Sequence, residues 1–391
     1  MEIKKIQEAI RQYGFDGWLM YDFRKNNNIT VRIMDLPENL HRTRRFFYFI
    51  PADGEPKKLV HRMEEFNLDS LPGGKTVYLS FQSLKEGLEK ILENSQKIAM
   101  EYSPENNIPY ISRVDAGTIE MIRGLGKEVV TSADLVQEFE TILTDEQIES
   151  HIIAAKQINQ FIFNAFDEIG TRIAKFGEIK DSTVQKFLMK RLEEHNLVTN
   201  QPPTIGVNDK AGDPHHVIDK EHHYMIRKDD LVLIDMWGKM NKPNTIYADS
   251  AWTAYTGTDI PEEYVKAFDA VGKARDAAFD SVKTRFSNGI PVKGWEVDDA
   301  ARNVITEAGY GGFFYHRTGH SIGEEVHGNG VNMDNIESHD DRRLLPRTCF
   351  ALEPGIYTNT FGVRSEINVI INEDRSVEIT GGEPQAEIVR I

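Results

Sequence analysis

Two stretches of this chain set carboxylates where paired apolar strands would bring them face to face, and few folds accept that arrangement. Leu231-Val232-Leu233-Ile234-Asp235-Met236-Trp237 is an apolar run of strand length. Extended character resumes over Thr245-Ile246-Tyr247-Ala248-Asp249-Ser250-Ala251-Trp252-Thr253, after the breakers Asn241-Lys242-Pro243-Asn244. In an antiparallel hairpin, paired residue numbers keep a constant sum, so a turn centred on Lys242 predicts Asp235 directly opposite Asp249. The same construction for Cys349 to Tyr357 and Gly362 to Val369, with the turn centred between Asn359 and Thr360, sets Glu353 opposite Glu366.

Carboxylates facing each other among apolar residues repel and lose hydration, so each pair needs protons or cations. Metal ions answer both demands. Two divalent ions balance four carboxylates, and His320 and His327, lying between the two hairpins in sequence, add imidazole. The six residues read as a two-metal hydrolase site. Oxygen ligands with one nitrogen suit Mn, Co, Zn or Fe, and affinity alone does not choose among these. Taken singly, each acid also fits an ordinary strand end or a half-exposed surface position; the joint pattern carries the reading.

At 391 residues, two domains are the default expectation. Acidic residues number 62 against 46 basic, and a formal charge of −16 argues against a general nucleic-acid or anionic-membrane binder. The lone Cys349 rules out an intrachain disulfide and is compatible with a reducing cytoplasm. The N-terminus starts an amphipathic helix with Ile3, Ile6 and Ile10 on one stripe, without the apolar core of a signal peptide, and no apolar run approaches membrane-spanning length. These features predict a soluble cytoplasmic protein.

The first third alternates helical and extended patterns. Helices are expected over Ile3 to Tyr13, Ser83 to Glu93 and Asp115 to Arg123, with strands at Trp18 to Tyr21, Phe46 to Ile50, Val77 to Leu79 and Ile98 to Met100. This is an α/β domain. The basic run His41-Arg42-Thr43-Arg44-Arg45 ahead of Phe46 reads as a solvated loop entering a core strand rather than a nucleic-acid patch. Turn-like composition at Thr131 to Asp134 marks a boundary, and a long helix over Asp145 to Phe176 opens the second part. Further helices are expected at Thr183 to His195, at Pro261 to Arg285, and at Val297 to Ala308 with Gly309 as the stop.

With these residues in hand, roughly residues 140 to 391 resemble the pita-bread metallopeptidases of the Xaa-Pro aminopeptidase and Xaa-Pro dipeptidase (prolidase) type. The resemblance rests on His316-Arg317-Thr318-Gly319-His320-Ser321-Ile322-Gly323-Glu324-Glu325-Val326-His327, then Glu353-Pro354-Gly355-Ile356-Tyr357 and Gly362-Val363-Arg364-Ser365-Glu366. It implies an α/β (α+β) chain with a creatinase-like N-terminal domain at 1–138 and a pita-bread catalytic domain at 139–391. It further implies Asp235 on one metal, Asp249 and Glu366 bridging two, and His320 and Glu353 completing the second. His215 matches a histidine near the substrate and leaving group, and His327 one that contacts the scissile carbonyl. His316, Tyr357 and Arg364 match a pocket for the residue after the scissile bond, associated with proline; Arg364, two residues before Glu366, could orient Asp235 or Glu366.

Three departures from the family pattern bear on the substrate pocket. Trp252 stands where many relatives have arginine, Gly328-Asn329 follows His327 where an acid is common, and the interval from Asp235 to Asp249 is longer than usual. Trp252 is expected to narrow the nearby surface and favour short substrates. The implied activity is hydrolysis of the bond between an N-terminal residue and proline in short peptides, by a cytoplasmic homodimer, with Glu353 moving the water proton and His327 stabilising the carbonyl oxygen. Creatinase-like hydrolases and metal-dependent lyases share the fold, and binding-only relatives exist, so fold alone does not fix the reaction. All five ligand positions are filled, which weighs against the metal-free members.

Overall fold

The computed structural model describes residues 2–37, 39–214, 216–218 and 223–391. The chain divides into two compact units, Met1–Thr141 and Ile142–Ile391.

The first unit contains α1 (Ile3–Gln12), β1 (Gly17–Asp22), α2 (Asn28–Ile33), β2 (Phe46–Pro51), β3 (Lys57–His61), β4 (Gly74–Tyr78), α3 (Phe81–Leu92), β5 (Lys97–Met100), α4 (Ala116–Gly124), β6 (Glu128–Thr131) and α5 (Ala133–Val136). Its sheet runs β4-β3-β2-β1-β5-β6; β2 is antiparallel to β1 and β3, and the other neighbours are parallel. The unbroken apolar runs of β1 and β2 follow from burial on both faces. Trp18, Met20, Phe46, Tyr48 and Ile50 pack with α1, α2 and α5. Leu19, Tyr21, Phe47 and Phe49 pack with α3 and α4 on the other side. The basic run before β2 departs from a solvated loop in one respect: Arg42 is buried and paired with Asp22 at 3.2 Å, because the start of β2 draws it beneath the surface.

The second unit opens with α6 (Asp145–Phe176), capped by reciprocal bonds between Thr144 and Gln147 and ended by Gly177 at φ +84°. Then come β7 (Glu178–Lys180), α7 (Asp181–Glu194), β8 (Leu197–Val198), β9 (Thr204–Val207), β10 (Met225–Arg227), β11 (Leu231–Met240) and β12 (Ala248–Tyr255). Next are α8 (Glu262–Ser287), α9 (Gly294–Glu307), β13 (Ser321–Ile322) and β14 (Thr348–Leu352). The chain finishes with β15 (Gly355–Tyr357), β16 (Gly362–Arg364), β17 (Ile367–Ile371), β18 (Val377–Thr380) and β19 (Val389–Arg390).

Helices cover one face of each carboxylate-bearing hairpin. Val232, Ile234, Met236, Ala248, Trp252 and Ala254 pack against Ala154, Ile158, Phe161 and Ile162 of α6 and against α7. Phe350, Leu352, Ile356, Val363, Ile367 and Val369 pack against α8 and α9. Strand alternation therefore turns Asp235, Asp249, Glu353 and Glu366 to the faces away from the helices. Full burial of each large apolar side chain contributes roughly 1.5–3 kcal/mol, and together these residues hold the carboxylates in place against their repulsion.

The two hairpins differ in how they meet the expected register. In the second, Leu352 pairs with Ile367 and Gly355 with Arg364, and both ladders keep the sum that sets Glu353 against Glu366 in the gap between them. In the first, Asp235 pairs with Ala251 and Asp249 with Trp237, so the two aspartates are diagonal neighbours on one face rather than directly opposite. The centre lies at Pro243. The cause is the turn: β11 runs on to Met240, while Ile246 N–H donates to Ser150 Oγ of α6 and Tyr247 N–H to the Gly323 carbonyl, so pairing restarts only at Ala248.

Candidate metal and substrate site

The His316 to His320 segment is placed by α9 and β14. Arg302 donates to the His316 carbonyl at 2.8 Å, and Thr318 donates through its N–H and hydroxyl to Asp298 Oδ1 at 2.9 and 2.6 Å. Ala351 N–H donates to the His320 carbonyl and Glu353 N–H to the Thr318 carbonyl, which sets His320 beside Glu353. Gly319 is required there, since a Cβ would sit 2.0 Å from the Ala351 carbonyl oxygen.

Ligand atoms of Asp249, His320 and Glu366 all lie within 4.8 Å of one another. His320 Nε2 is 3.5 Å from Asp249 Oδ2 and 3.5 Å from Glu353 Oε1. Its Nδ1 faces the Ser321 carbonyl at 3.1 Å, so the proton belongs on Nδ1 and the Nε2 lone pair points toward the carboxylates. Asp235 completes the group through Arg364, whose Nη1 donates to Asp235 Oδ2 and lies 3.7 Å from Glu353 Oε2. Arg364 thus orients Asp235, not Glu366.

The electrostatics call for more positive charge than the protein supplies. Burial, reinforced by Asp235, pushes the Asp249 carboxyl well above its usual range. Burial and then the charges of Asp249, Glu353 and Asp235 do the same to Glu366. Burial raises Glu353 too, against the pull of Arg364 and His320, and burial lowers His320. Among the described residues, Asp249 Oδ1 and both carboxylate oxygens of Glu366 are buried without a hydrogen-bond partner. Native structures rarely leave such atoms orphaned, and Asp249, Glu366 and His320 would satisfy them by holding a cation. The donor set fits a divalent metal.

Beside the carboxylates runs a second chain of groups. His316 Nδ1 faces the Arg317 carbonyl at 2.6 Å, so Nε2 accepts from the Tyr357 hydroxyl at 2.8 Å, and Tyr357 Oη accepts from Arg364 Nε at 2.7 Å. Burial and the nearby Arg364 charge hold His316 well below the ordinary histidine range, consistent with this neutral tautomer. His327 is exposed, its ring 4.5 Å from that of His320 and nearly perpendicular to it. His215 lies outside the described residues. The turn just before it, Asn208–Gly212, rests on the second hairpin at two glycines: a Cβ on Gly362 would meet the Ala211 carbonyl at 1.8 Å, and one on Gly212 the Thr358 carbonyl at 2.4 Å.

Trp252 does not narrow the pocket. It occupies the alternate face of β12, where its Nε1 donates to Asn159 Oδ1 at 3.0 Å and its ring packs edge-on against Phe163 of α6. Gly328 is confined, with its N–H on the Ser321 carbonyl and room for no side chain short of 2.9 Å from Ser321 Oγ. The sequence reading passed over Asn368 and Thr253, which join the two hairpins. Asp249 N–H donates to Asn368 Oδ1 at 2.9 Å and Asn368 Nδ2 donates back to the Asp249 carbonyl at 2.5 Å. Glu366 N–H reaches the Ala251 carbonyl at 3.3 Å, and the Thr253 hydroxyl donates to the Arg364 carbonyl at 2.9 Å.

An apolar-backed pair of hairpins that brings four acids and an imidazole together is the architecture of the pita-bread class. The chain matches the family description "Metallopeptidase family M24" over residues 150–373, and it belongs to that family. It is 33% identical over 177 residues to the "Probable dipeptidase PepE" of Mycobacterium tuberculosis, a match spanning 45% of this chain and 43% of that relative, less than half its length. It is 25% identical over 378 residues to the "Xaa-Pro dipeptidase" of Lactobacillus delbrueckii subsp. lactis, spanning 96% of this chain and 95% of the relative. The crystal structure of dipeptidase PepE from Mycobacterium ulcerans superposes with a TM-score of 0.73 at 19% identity, covering 99% of this chain and 96% of that one. The α/β pita-bread fold with its N-terminal α/β domain is thereby the observed one.

Proposed function

We propose that this chain is a dinuclear-metal Xaa-Pro peptidase that hydrolyses the bond between an N-terminal residue and proline in short peptides. The observation that carries the reading is the set of orphaned oxygens of Asp249 and Glu366 beside the His320 Nε2 lone pair. Asp235, Asp249, His320, Glu353 and Glu366 would hold two divalent ions, Mn, Co, Zn or Fe. When bound, the ions polarise the scissile carbonyl and acidify water.

The chain's own residues supply the rest. Glu353, raised by burial and drawn back in part by Arg364 and His320, takes the water proton and passes it to the leaving nitrogen. His327, exposed beside His320, donates to the carbonyl oxygen as negative charge develops there. By the resemblance, His215 would act near the leaving group. The His316–Tyr357–Arg364 chain forms a wall suited to a rigid ring at the position after the scissile bond, where a proline nitrogen brings no N–H to be satisfied. The Xaa-Pro dipeptidase similarity along nearly the whole chain supports the proline preference.

The same reading makes the protein a cytoplasmic homodimer; no helix among the described residues is long and apolar enough to cross a membrane. Light scattering tests the dimer. The deciding assay compares Ala-Pro, Ala-Ala, Ala-Pro-Ala and Ala-Ala-Ala on protein loaded with Mn, Co or Zn. Cleavage of Ala-Pro alone marks a dipeptidase, and cleavage of both proline substrates an aminopeptidase. Equal rates on Ala-Pro and Ala-Ala, or equal and measurable rates on Ala-Pro-Ala and Ala-Ala-Ala, refute the proline pocket.

A further inference from the structure

The contacts between β12 and the β16–β17 segment follow a pattern. Asp249 meets Asn368, Ala251 meets Glu366, and Thr253 meets Arg364, so partner residue numbers keep a constant sum, as in an antiparallel ladder. Among the described residues only the middle rung is a backbone bond, and at 3.3 Å it is long. At the outer rungs a side chain replaces a strand's backbone. The Asn368 carboxamide both accepts from and donates to the Asp249 peptide, and the Thr253 hydroxyl donates to the Arg364 carbonyl while accepting from Arg364 N–H at 3.4 Å.

We propose that Asn368 is a positioning residue for metal binding: its carboxamide fixes the Asp249 backbone to the second hairpin, so that the orphaned oxygens of Asp249 and Glu366 converge with His320 on one cation, with Thr253 acting in the same way at the Arg364 end. A carboxamide suits this task because it alone among small side chains presents an acceptor and a donor at the spacing of a peptide. Asn368 is 2% exposed, so no water takes over either bond if the carboxamide is removed. Among the described residues, Asp249 carries no other hydrogen bond between the two hairpins at its own peptide. The stitch sets the spacing of the cradle before metal binds.

The inference rests on the pocket being a metal site, and the test separates the two. Full-length metal-free protein is titrated with Mn2+ by calorimetry, with its melting temperature recorded at each step. If the unsubstituted protein takes up no Mn2+, the metal reading itself fails. If it does, Asn368→Ala is expected to weaken Mn2+ affinity about 10–100-fold, the range for partners that orient ligands. Thr253→Val, nearly the same shape without the hydroxyl, is expected to weaken it less, and Thr253→Ser, which keeps the hydroxyl, to restore it. Val184→Ala in α7, a buried change outside the site, supplies a destabilised reference. Wild-type Mn2+ affinity in folded Asn368→Ala overturns the proposal, as does an equal affinity loss in Val184→Ala at matched melting temperature. If Asn368→Ala does not fold, the Thr253 pair decides: identical affinity in the Val and Ser variants overturns it.

Discussion

The Tyr357 hydroxyl donates to His316 at 2.8 Å and accepts from Arg364 at 2.7 Å, so one phenol ties that histidine to the arginine that holds Asp235. Tyr357 is buried, and neither neighbour finds a replacement if the hydroxyl is lost. A hydrogen bond to a charged group contributes about 1.5–3 kcal/mol. Tyr357→Phe should therefore lower kcat/KM for Ala-Pro about 10–100-fold while changing that for Ala-Ala far less. A uniform loss across both substrates would detach this chain of groups from proline selection.

The metal-free protein should lose stability as pH rises. Glu366 has its folded pKa raised well above the ordinary glutamate value by burial and then by Asp249, Glu353 and Asp235. Its contribution is fully present below the unfolded pKa and is lost as pH climbs through the folded value. Glu366→Gln removes that loss. At about pH 8 the metal-free Gln variant should melt above the metal-free parent, yet gain less from added Mn2+. Thermal melts with and without chelator check both signs.

Proton transfer separates Glu353 from His327. Glu353→Gln keeps an oxygen for metal and loses the base, so kcat should fall about 10²–10⁴-fold in samples whose metal content is confirmed. His327→Ala should cost on the order of 10²-fold, as loss of one donor to a developing oxyanion does. Normal kcat in metal-replete Glu353→Gln would remove it from the base role.

An acid limit to stability should come from His151 of α6. Its Nδ1 meets the Tyr247 carbonyl and its Nε2 the Thr380 hydroxyl, each at 2.7 Å, with Cys349 Sγ at 3.6 Å. Burial lowers its pKa from 6.5 to about 4. Between those values the unfolded chain binds a proton that the folded chain refuses, so stability falls as pH drops from 6.5 to about 4, by roughly 3 kcal/mol in all. Urea denaturation across that range should show a shallower decline for His151→Gln, and parallel curves would exclude His151 as the cause.

Local pattern carried much of this molecule. The second hairpin was legible because its strands run on either side of one tight turn, and the inward alternation of Glu353 and Glu366 follows from strand period alone. The first hairpin was legible in face but not in register, since the bonds that delay β12 come from Ser150 and Gly323, positions no local pattern ties to Tyr247. Trp252 could have been read correctly: an odd step from Asp249 puts it on the opposite face. Asn368 could not, because its task depends on a partner 119 residues away and on a side chain acting as backbone.

The two faces of β12 are separate territories for protein engineering. Ser250, Trp252 and Ala254 face α6 and its neighbour α7, and Asn159 Oδ1 of α6 accepts from both Ser250 and Trp252. Substitutions there trade packing against packing, and a library spanning Asn159, Phe163, Ser250 and Trp252 can be screened for heat tolerance while the opposite face keeps its chemistry. Trp252 is thus upholstery on the helix side of the strand, and its identity leaves the trade of the opposite face untouched.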